Sequence, residues 1–320
     1  MTHDQAAAAA SAASADSGRP CPESGPDAGP DEWAWLPVTL RAWRDGTVAV
    51  LELNRAEKRN ALDDVTVLAM ASWFTTLPDD VRAVVLTADG PHFCAGLDLS
   101  QLQERSVFEG VEHSRMWHRA LACVEDSRVP VFSVLRGAVI GGGLELAAAT
   151  HVRVAEASAF YALPEGQHGL YVGGGGSVRV PRLIGAARMV DMMLTGRRYD
   201  AAEGGRTGLS QYVVDDGEGL ATAVRLARRA AENSVVTNYA VLQVLPLIAT
   251  AGPREGYLME ALMAGIAQGT GEAKDRMAAF LARSGRADRA KQPDDTHRPD
   301  GAKDPDDAHR PDDDDRGSEG

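Results

Sequence analysis

The spacing of apolar positions changes period several times along the chain. Val38–Arg44 reads as a strand, Asp45-Gly46 as a hairpin turn, and Thr47–Leu53 as a second strand in which Val48, Val50, Leu51 and Leu53 stand among polar neighbours. Asn54–Asn60 is polar and predicts a loop. Leu62–Phe74 has helical spacing, with Asp63 or Asp64 placed to cap its start. Val81–Thr87 and Val129–Leu135 are near-continuous apolar runs of the kind that buried strands show. Between them, Ala88-Asp89-Gly90 predicts a turn, Phe93–Leu99 a loop of small residues, and Val111–Asp126 a helix. After the second run come the glycine-rich Gly137–Gly143, a helix from near Leu144, a short strand Val152–Ala155, a break at Gly173–Gly176 and a helix through Leu183. From Leu220 to about Arg283 the period is helical throughout. Alternation of strand and helix over the first two thirds predicts an α/β fold, with the last third as an added helical layer.

Composition sharpens the boundaries. The 320 residues are 44% hydrophobic, enough for a substantial core. The formal charge is −13, but the ends carry most of it: residues 1–31 sum to −4 and residues 291–320 to −6. The acidic balance therefore belongs to the ends. No basic patch suggests nucleic acid. The repeat DDTHRPD…DDAHRPD within 294–312 is charged and poor in apolar residues, which predicts disorder rather than a metal tract. Four segments are expected: a disordered tail over 1–35, a core over 36–215, a helical region over 216–285 and a disordered acidic tail over 286–320. Ala6–Ala10 lacks the basic start and apolar stretch of a signal peptide, and no window reaches the ~18 apolar residues of a membrane helix. Cys21, Cys94 and Cys123 are far apart and lack metal spacing, so reduced thiols and a cytoplasmic location are expected.

Four short segments carry candidate chemistry: Asn54–Leu62 with Lys58-Arg59; Phe93-Cys94-Ala95-Gly96-Leu97-Asp98-Leu99; Gly137–Ala147 with Gly141-Gly142-Gly143-Leu144-Glu145; and Pro164-Glu165 with Gly169 and Gly173–Gly176 downstream. Consecutive glycines between a strand and a helix let a ligand approach the backbone, and helix N-terminal amides favour developing negative charge. Two carboxylates beside such donors make an acid/base site with an oxyanion hole. For any one segment alone, tight packing is the better explanation, with Glu145 as a helix-start carboxylate.

All four in this order resemble the crotonase (enoyl-CoA hydratase/isomerase) superfamily, from about Val38 to Arg283. The most specific part is Gly-Gly-Gly-x-Glu-Leu-Ala followed by Pro-Glu. The resemblance implies a spiral of ββα units over 36–215 and a C-terminal helical region that assembles trimers, often paired into hexamers. It implies an acyl-CoA thioester substrate, no metal and no redox cofactor, with coenzyme A as part of the substrate. Backbone amides of Leu97 and Gly142 would bind the thioester oxygen. Glu165 would move a proton at the α-carbon, and Glu145 would hold and activate the water added at the β-carbon. Having both glutamates favours hydration of a trans-2-enoyl-CoA. Lys58 and Arg59 would meet the coenzyme A phosphates, Ala61, Ala95, Leu97 and Leu99 would line its groove, Asp98 would fix the loop carrying Leu97, and Arg283 could reach coenzyme A on a neighbouring subunit. Met116 and Trp117 lie in the usual acyl-pocket segment, where core packing is the other reading.

Several positions depart from the family pattern. Ala56 replaces a common proline, and Tyr171-Val172-Gly173 replaces Ile-Pro-Gly. His151 replaces an Asp and is expected to be structural; His168 and Tyr171 could line the site or face a neighbour. Two rival functions stand beside hydration. One is another crotonase reaction, namely isomerisation, thioester hydrolysis, decarboxylation or retro-aldol cleavage. The other is a catalytically silent acyl-CoA-binding or scaffold protein.

Overall fold

A computed structural model describes residues 32–101 and 106–289; the side chains of residue 101 and of 283–289 are outside that description. The expectations for 1–31 and 290–320, and for the side chain of Arg283, fall outside the described residues. Two compact units divide between Ala267 and Gln268.

The first unit is built on a six-stranded sheet in the order β1-β2-β3-β4-β6-β9. β1 (Leu40–Asp45) and β2 (Val48–Leu53) form the expected hairpin, closed by Gly46-Thr47, with Gly46 at φ 62°. β3 (Ala83–Ala88), β4 (Val131–Leu135), β6 (Val152–Glu156) and β9 (Tyr212–Val214) then add in parallel. Parallel neighbours need crossovers, and the first three contain α1 (Asp64–Thr75), α2 (Val107–Glu125) and α3 (Gly142–Ala149). A second sheet contains β5 (Ala138–Ile140), β7 (Phe160–Ala162) and β8 (Tyr199–Asp200).

Both faces of the large sheet are covered, so its central strands are buried throughout rather than half-polar. Ala49, Leu51 and Leu53 of β2 join the main core with residues of α1 to α3, while Val48 and Val50 turn to a second cluster. Ala223 and Ala227 of α7 (Gly219–Ala231) complete that second cluster. The expected helical region therefore begins with a helix that is part of the sheet's own packing. Before it come α4 (Gly176–Ile184), α5 (Ala186–Thr195) and α6 (Ala201–Thr207); after it come α8 (Val235–Tyr239), a π-helical turn Ala240–Val244, α9 (Leu245–Ile248) and α10 (Pro253–Gly269).

In the second unit, α11 (Gly271–Arg289) runs past the expected boundary at 285. At the other end, Trp33 lies inside the expected tail, yet its ring packs against Trp73 at 5.5 Å between centroids.

Local chemistry explains most boundaries. Asp63 caps α1 by accepting from the Thr66 amide at 2.8 Å. Ser106 and Glu109 form a reciprocal capping box, so α2 starts four residues before the expected Val111. Helix α3 starts at Gly142, two residues before the expected Leu144.

Candidate active site

Strand register brings the four segments together. Ile140 at the end of β5 pairs with Ala162 at the end of β7, and the Gly141 amide donates to the Ala162 carbonyl at 3.0 Å. This sets the start of α3 beside Pro164-Glu165. A bridge between Cys94 and Val139 extends the pairing on the other side: Cys94 N–H donates to Ala138 O at 2.9 Å and Ile140 N–H to Cys94 O at 3.0 Å. Gly96-Leu97 thereby reaches the same helix start. Leu62 bridges to Leu97 in turn, accepting from the Asp98 amide at 2.8 Å.

A cleft of about 480 Å³ opens where these loops meet, lined among others by Ala95, Leu97, Gly142, Glu145 and Glu165. The amides of Leu97 and Gly142 have no acceptor among the described residues. Leu97 lies between the Gly96 carbonyl and the Asp98 amide that the Leu62 bridge uses, and Gly142 is the first residue of a helix, where an N–H has no intrahelical partner. The two positions adjoin: a Cβ added to Gly142 would lie 3.4 Å from the Leu97 nitrogen and 3.4 Å from the Trp117 ring. Together they form a paired donor set at a positive helix end.

Glu145 is almost fully enclosed, at 3% exposure. Its Oε1 accepts from the amides of Gly174 at 2.8 Å and Gly176 at 2.7 Å. Burial raises its pKa, and these two amides oppose the rise. Arg179 secures the glycine loop by donating to Gly174 O at 2.9 Å and to Glu125 Oε2 at 2.7 Å. Glu165 begins a 3₁₀ turn ending at Gly169. Burial, with the nearby Glu145 charge adding to it, pushes its carboxyl up to about 7. Its Oε2 is buried without a hydrogen-bond partner among the described residues. Glu145 is thus held as an acceptor, and Glu165 is poised to exchange a proton near neutrality.

Asp98 fixes its loop as expected. Its Oδ1 accepts from the Ser100 hydroxyl at 2.6 Å and the Ser100 amide at 3.0 Å, and Arg55 lies 2.8 Å from Oδ2. Ser100 first, with Arg55 and Lys58 beside it, holds the Asp98 carboxyl below the usual range. Lys58 lies 3.8 Å from Asp98 and is half exposed. Arg59 is exposed, at φ 52°, and its carbonyl accepts from Ala95 N–H at 2.9 Å. Ala61 is half-buried and Leu99 exposed, with Leu99 on the cleft wall.

Other expectations resolve individually. His151 is structural: Nδ1 accepts from Val131 N–H and Nε2–H donates to Glu125 O, both at 2.9 Å. His168 and Tyr171 line the cleft. Of the two pocket candidates, Trp117 lines it, while Met116 packs against the core.

Sequence reasoning gave no role to Arg55, Gly141, Gly174, Gly176 or His113, although all but His113 lie in the segments it singled out. A basic residue set among Glu57, Asp63 and Asp98 was a usable signal for Arg55. Nothing local could reveal that residues 174 and 176 return to residue 145. Cys94, beside the cleft, is fully buried and its thiol is pushed up to about 12 by that burial, so it stays protonated.

Comparison with known proteins identifies the family. The family model described as enoyl-CoA hydratase/isomerase matches residues 44–251. The chain is 32% identical over 268 residues to the "Probable enoyl-CoA hydratase echA8" of Mycobacterium bovis, covering 81% of this chain and 98% of that protein. It is 32% identical over 196 residues to the short-chain-enoyl-CoA hydratase of Clostridium acetobutylicum, covering 60% of this chain and 75% of that one. The crystal structure of a "putative enoyl-CoA hydratase" from Rhodopseudomonas palustris superposes with a TM-score of 0.77 at 55% identity, covering 78% of this chain and 96% of that one. With the match spanning well over half its length, and with the spiral fold behind it, the chain belongs to the enoyl-CoA hydratase/isomerase family of the crotonase superfamily.

Proposed function

We propose that the protein catalyses the reversible syn addition of water to a trans-2-enoyl-CoA. The observation that carries this reading is the meeting, in one cleft, of two carboxyl groups with two unengaged backbone donors, Glu145 held by two loop amides and Glu165 with a buried oxygen that has no partner among the described residues. The thioester oxygen accepts from the amides of Leu97 and Gly142. As the water oxygen bonds to the β-carbon, charge moves onto that oxygen, where the fixed donors meet it without rearrangement. The Glu145 carboxylate takes a proton from the water. The Glu165 carboxylic acid delivers a proton to the α-carbon. One water is added, and proton return from Glu145 to Glu165 through solvent resets the site. Loss of one donor from such a hole costs on the order of 10²–10³ in rate.

The chemistry uses carboxylates and amides and calls for no metal and no redox cofactor; coenzyme A enters as the acyl carrier. Lys58 and Arg59, both exposed, are assigned to its phosphates. Assembly as a homotrimer or hexamer is part of the proposal, supported by exposed Leu258, Leu262 and Ile266 on α10 and Met277 on α11. Among the described residues no helix is long and apolar enough to cross a membrane. A cytoplasmic location is proposed from the free thiols of Cys94 and Cys123.

A panel assay tests the reaction. Crotonyl-CoA, longer trans-2-enoyl-CoAs and a cinnamoyl-type CoA would be incubated with the protein, following enoyl-thioester absorbance and product mass. A gain of one water is expected. An isomerised, shortened or hydrolysed product, or binding without turnover, would refute it.

A further inference from the structure

One face of α2 forms part of the cleft wall, and it is unusually polar for a surface meant to hold a hydrocarbon. Gly110, His113, Ser114 and Trp117 line the cleft from positions i, i+3, i+4 and i+7 of a single helical stripe. Trp117 stands next to Gly142, so it marks the reacting end. His113 comes one turn earlier, about 5–6 Å further along the wall. Gly110 follows another turn on, with nothing within 4 Å of where its Cβ would be. Glycine within a helix costs up to about 1 kcal/mol relative to alanine, and Gly110 is the fourth residue of α2. Here its effect is to leave room in front of His113.

The protons on this stripe are committed elsewhere. His113 Nε2 lies 2.7 Å from Asp64 Oδ1. A carboxylate only accepts, so Nε2 carries the hydrogen, and in the neutral form of the imidazole this leaves a lone pair on Nδ1. Nδ1 has no partner among the described residues. Asp64 Oδ1 also accepts from Trp117 Nε1 at 2.9 Å, which fixes both rings to one anchor. The Ser114 hydroxyl donates to Gly173 O at 2.7 Å, leaving its oxygen as an acceptor. The His118 ring nitrogen is 3.3 Å from that same oxygen and further orients it. The wall therefore presents acceptors rather than donors. The side chain of His113 is only 19% exposed, so an apolar tail laid against it would bury an acceptor without a partner.

We propose that His113 and Ser114 select acyl groups bearing a hydroxyl donor beyond the reacting double bond, in preference to plain alkyl tails or tails ending in carboxylate. The inference rests on reading the cleft as the acyl-CoA site, and it makes His113 the specificity-determining residue. A substrate hydroxyl donates to Nδ1. A terminal carboxylate has no proton to give and would face two lone pairs. A methyl group would strip water from both acceptors and return nothing.

Two measurements on the full-length protein test this separately from turnover. The first is calorimetric binding of saturated acyl-CoAs of about five to eight carbons, a reach of about one helical turn or more. They are matched in length and end in hydroxyl, methyl or carboxylate. The second is kcat/KM for the corresponding trans-2-enoyl-CoAs. The hydroxylated ligand is expected to lead the methyl ligand by about tenfold in both. In His113→Leu, which is close in volume, that ratio should fall to about one or reverse. Ser114→Ala should reduce the ratio by a smaller factor. Equal binding of all three ligands, a lead for methyl or carboxylate, or an unchanged ratio in His113→Leu would overturn the proposal. Hydroxyl-selective binding without hydration would sustain it while overturning the proposed reaction. If His113→Leu lowers the melting temperature, the wild-type three-way comparison still decides.

Discussion

Glu145 does two jobs that two substitutions can separate. In Glu145→Gln the side-chain carbonyl can occupy the place of Oε1 and still accept from Gly174 and Gly176. The NH₂ then takes the place of the oxygen that would receive a proton from water. Fold and loop should survive while the base is lost, with kcat falling by about 10²–10⁴. In Glu145→Ala both acceptor contacts vanish, leaving two amides in a buried loop without partners. Each orphaned group costs about 1–3 kcal/mol, so about 2–6 kcal/mol is expected. At roughly 2–4 °C per kcal/mol for a domain of this size, the melting temperature should fall by roughly 4–24 °C. Hydration rates and thermal unfolding of the three proteins, measured side by side, are the assay. Equal melting temperatures for the two variants would refute the structural half of the reasoning. Near-normal hydration by Glu145→Gln would refute the catalytic half.

Further expectations concern neighbouring groups. With Glu165 raised to about 7 and acting as the acid in hydration, kcat/KM for hydration should fall about tenfold per pH unit above about 7. Dehydration, which needs its carboxylate, should show the mirror trend and fall below that pH; pH profiles of the two directions without an inflection between about 6 and 8 would count against the assignment. Gly141 sits at φ 53°, and an added Cβ would lie 2.7 Å from Glu165 Oε1. Gly141→Ala should therefore cost roughly 1–2 kcal/mol in backbone strain and displace the acid, lowering kcat more than it raises KM; unchanged kinetics would contradict that placement. Cys94 should resist iodoacetamide in the native protein and react only on unfolding, as read by mass.

How much was legible in the chain follows from what each feature depends on. The hairpin at Gly46 and a cap at Asp63 or Asp64 depend on nearby residues and were read directly, whereas the pair Glu145 and Glu165 was read from the family resemblance of four segments together. The site's assembly depends on β5, three residues long, which pairs with β7 some twenty positions later. An Ala-Val-Ile run inside a glycine-rich stretch has no period from which to infer a strand. Helix α3 begins on two glycines, against their propensity, because the Ala162 and Cys94 pairings fix the chain on entry. The Gly173–Gly176 stretch reads as a break, but Gly174 and Gly176 are also confined by Glu145, whose side-chain atoms lie 3.1 Å and 2.8 Å from where their Cβ atoms would stand. The burial of β2 on both faces was hidden because its second cover, α7, arrives late in the chain.

The central claim is that one water adds across the double bond under the control of two carboxylates. Its most direct test is a single-turnover reaction of a trans-2-enoyl-CoA in heavy-oxygen, deuterated water, with products read by mass. The account predicts a 3-hydroxyacyl-CoA with one solvent oxygen at the β-carbon and one deuterium at the α-carbon, absent in both Glu145→Gln and Glu165→Gln. Deuterium without oxygen, oxygen in a freed carboxylic acid, or full labelling by either variant would contradict it.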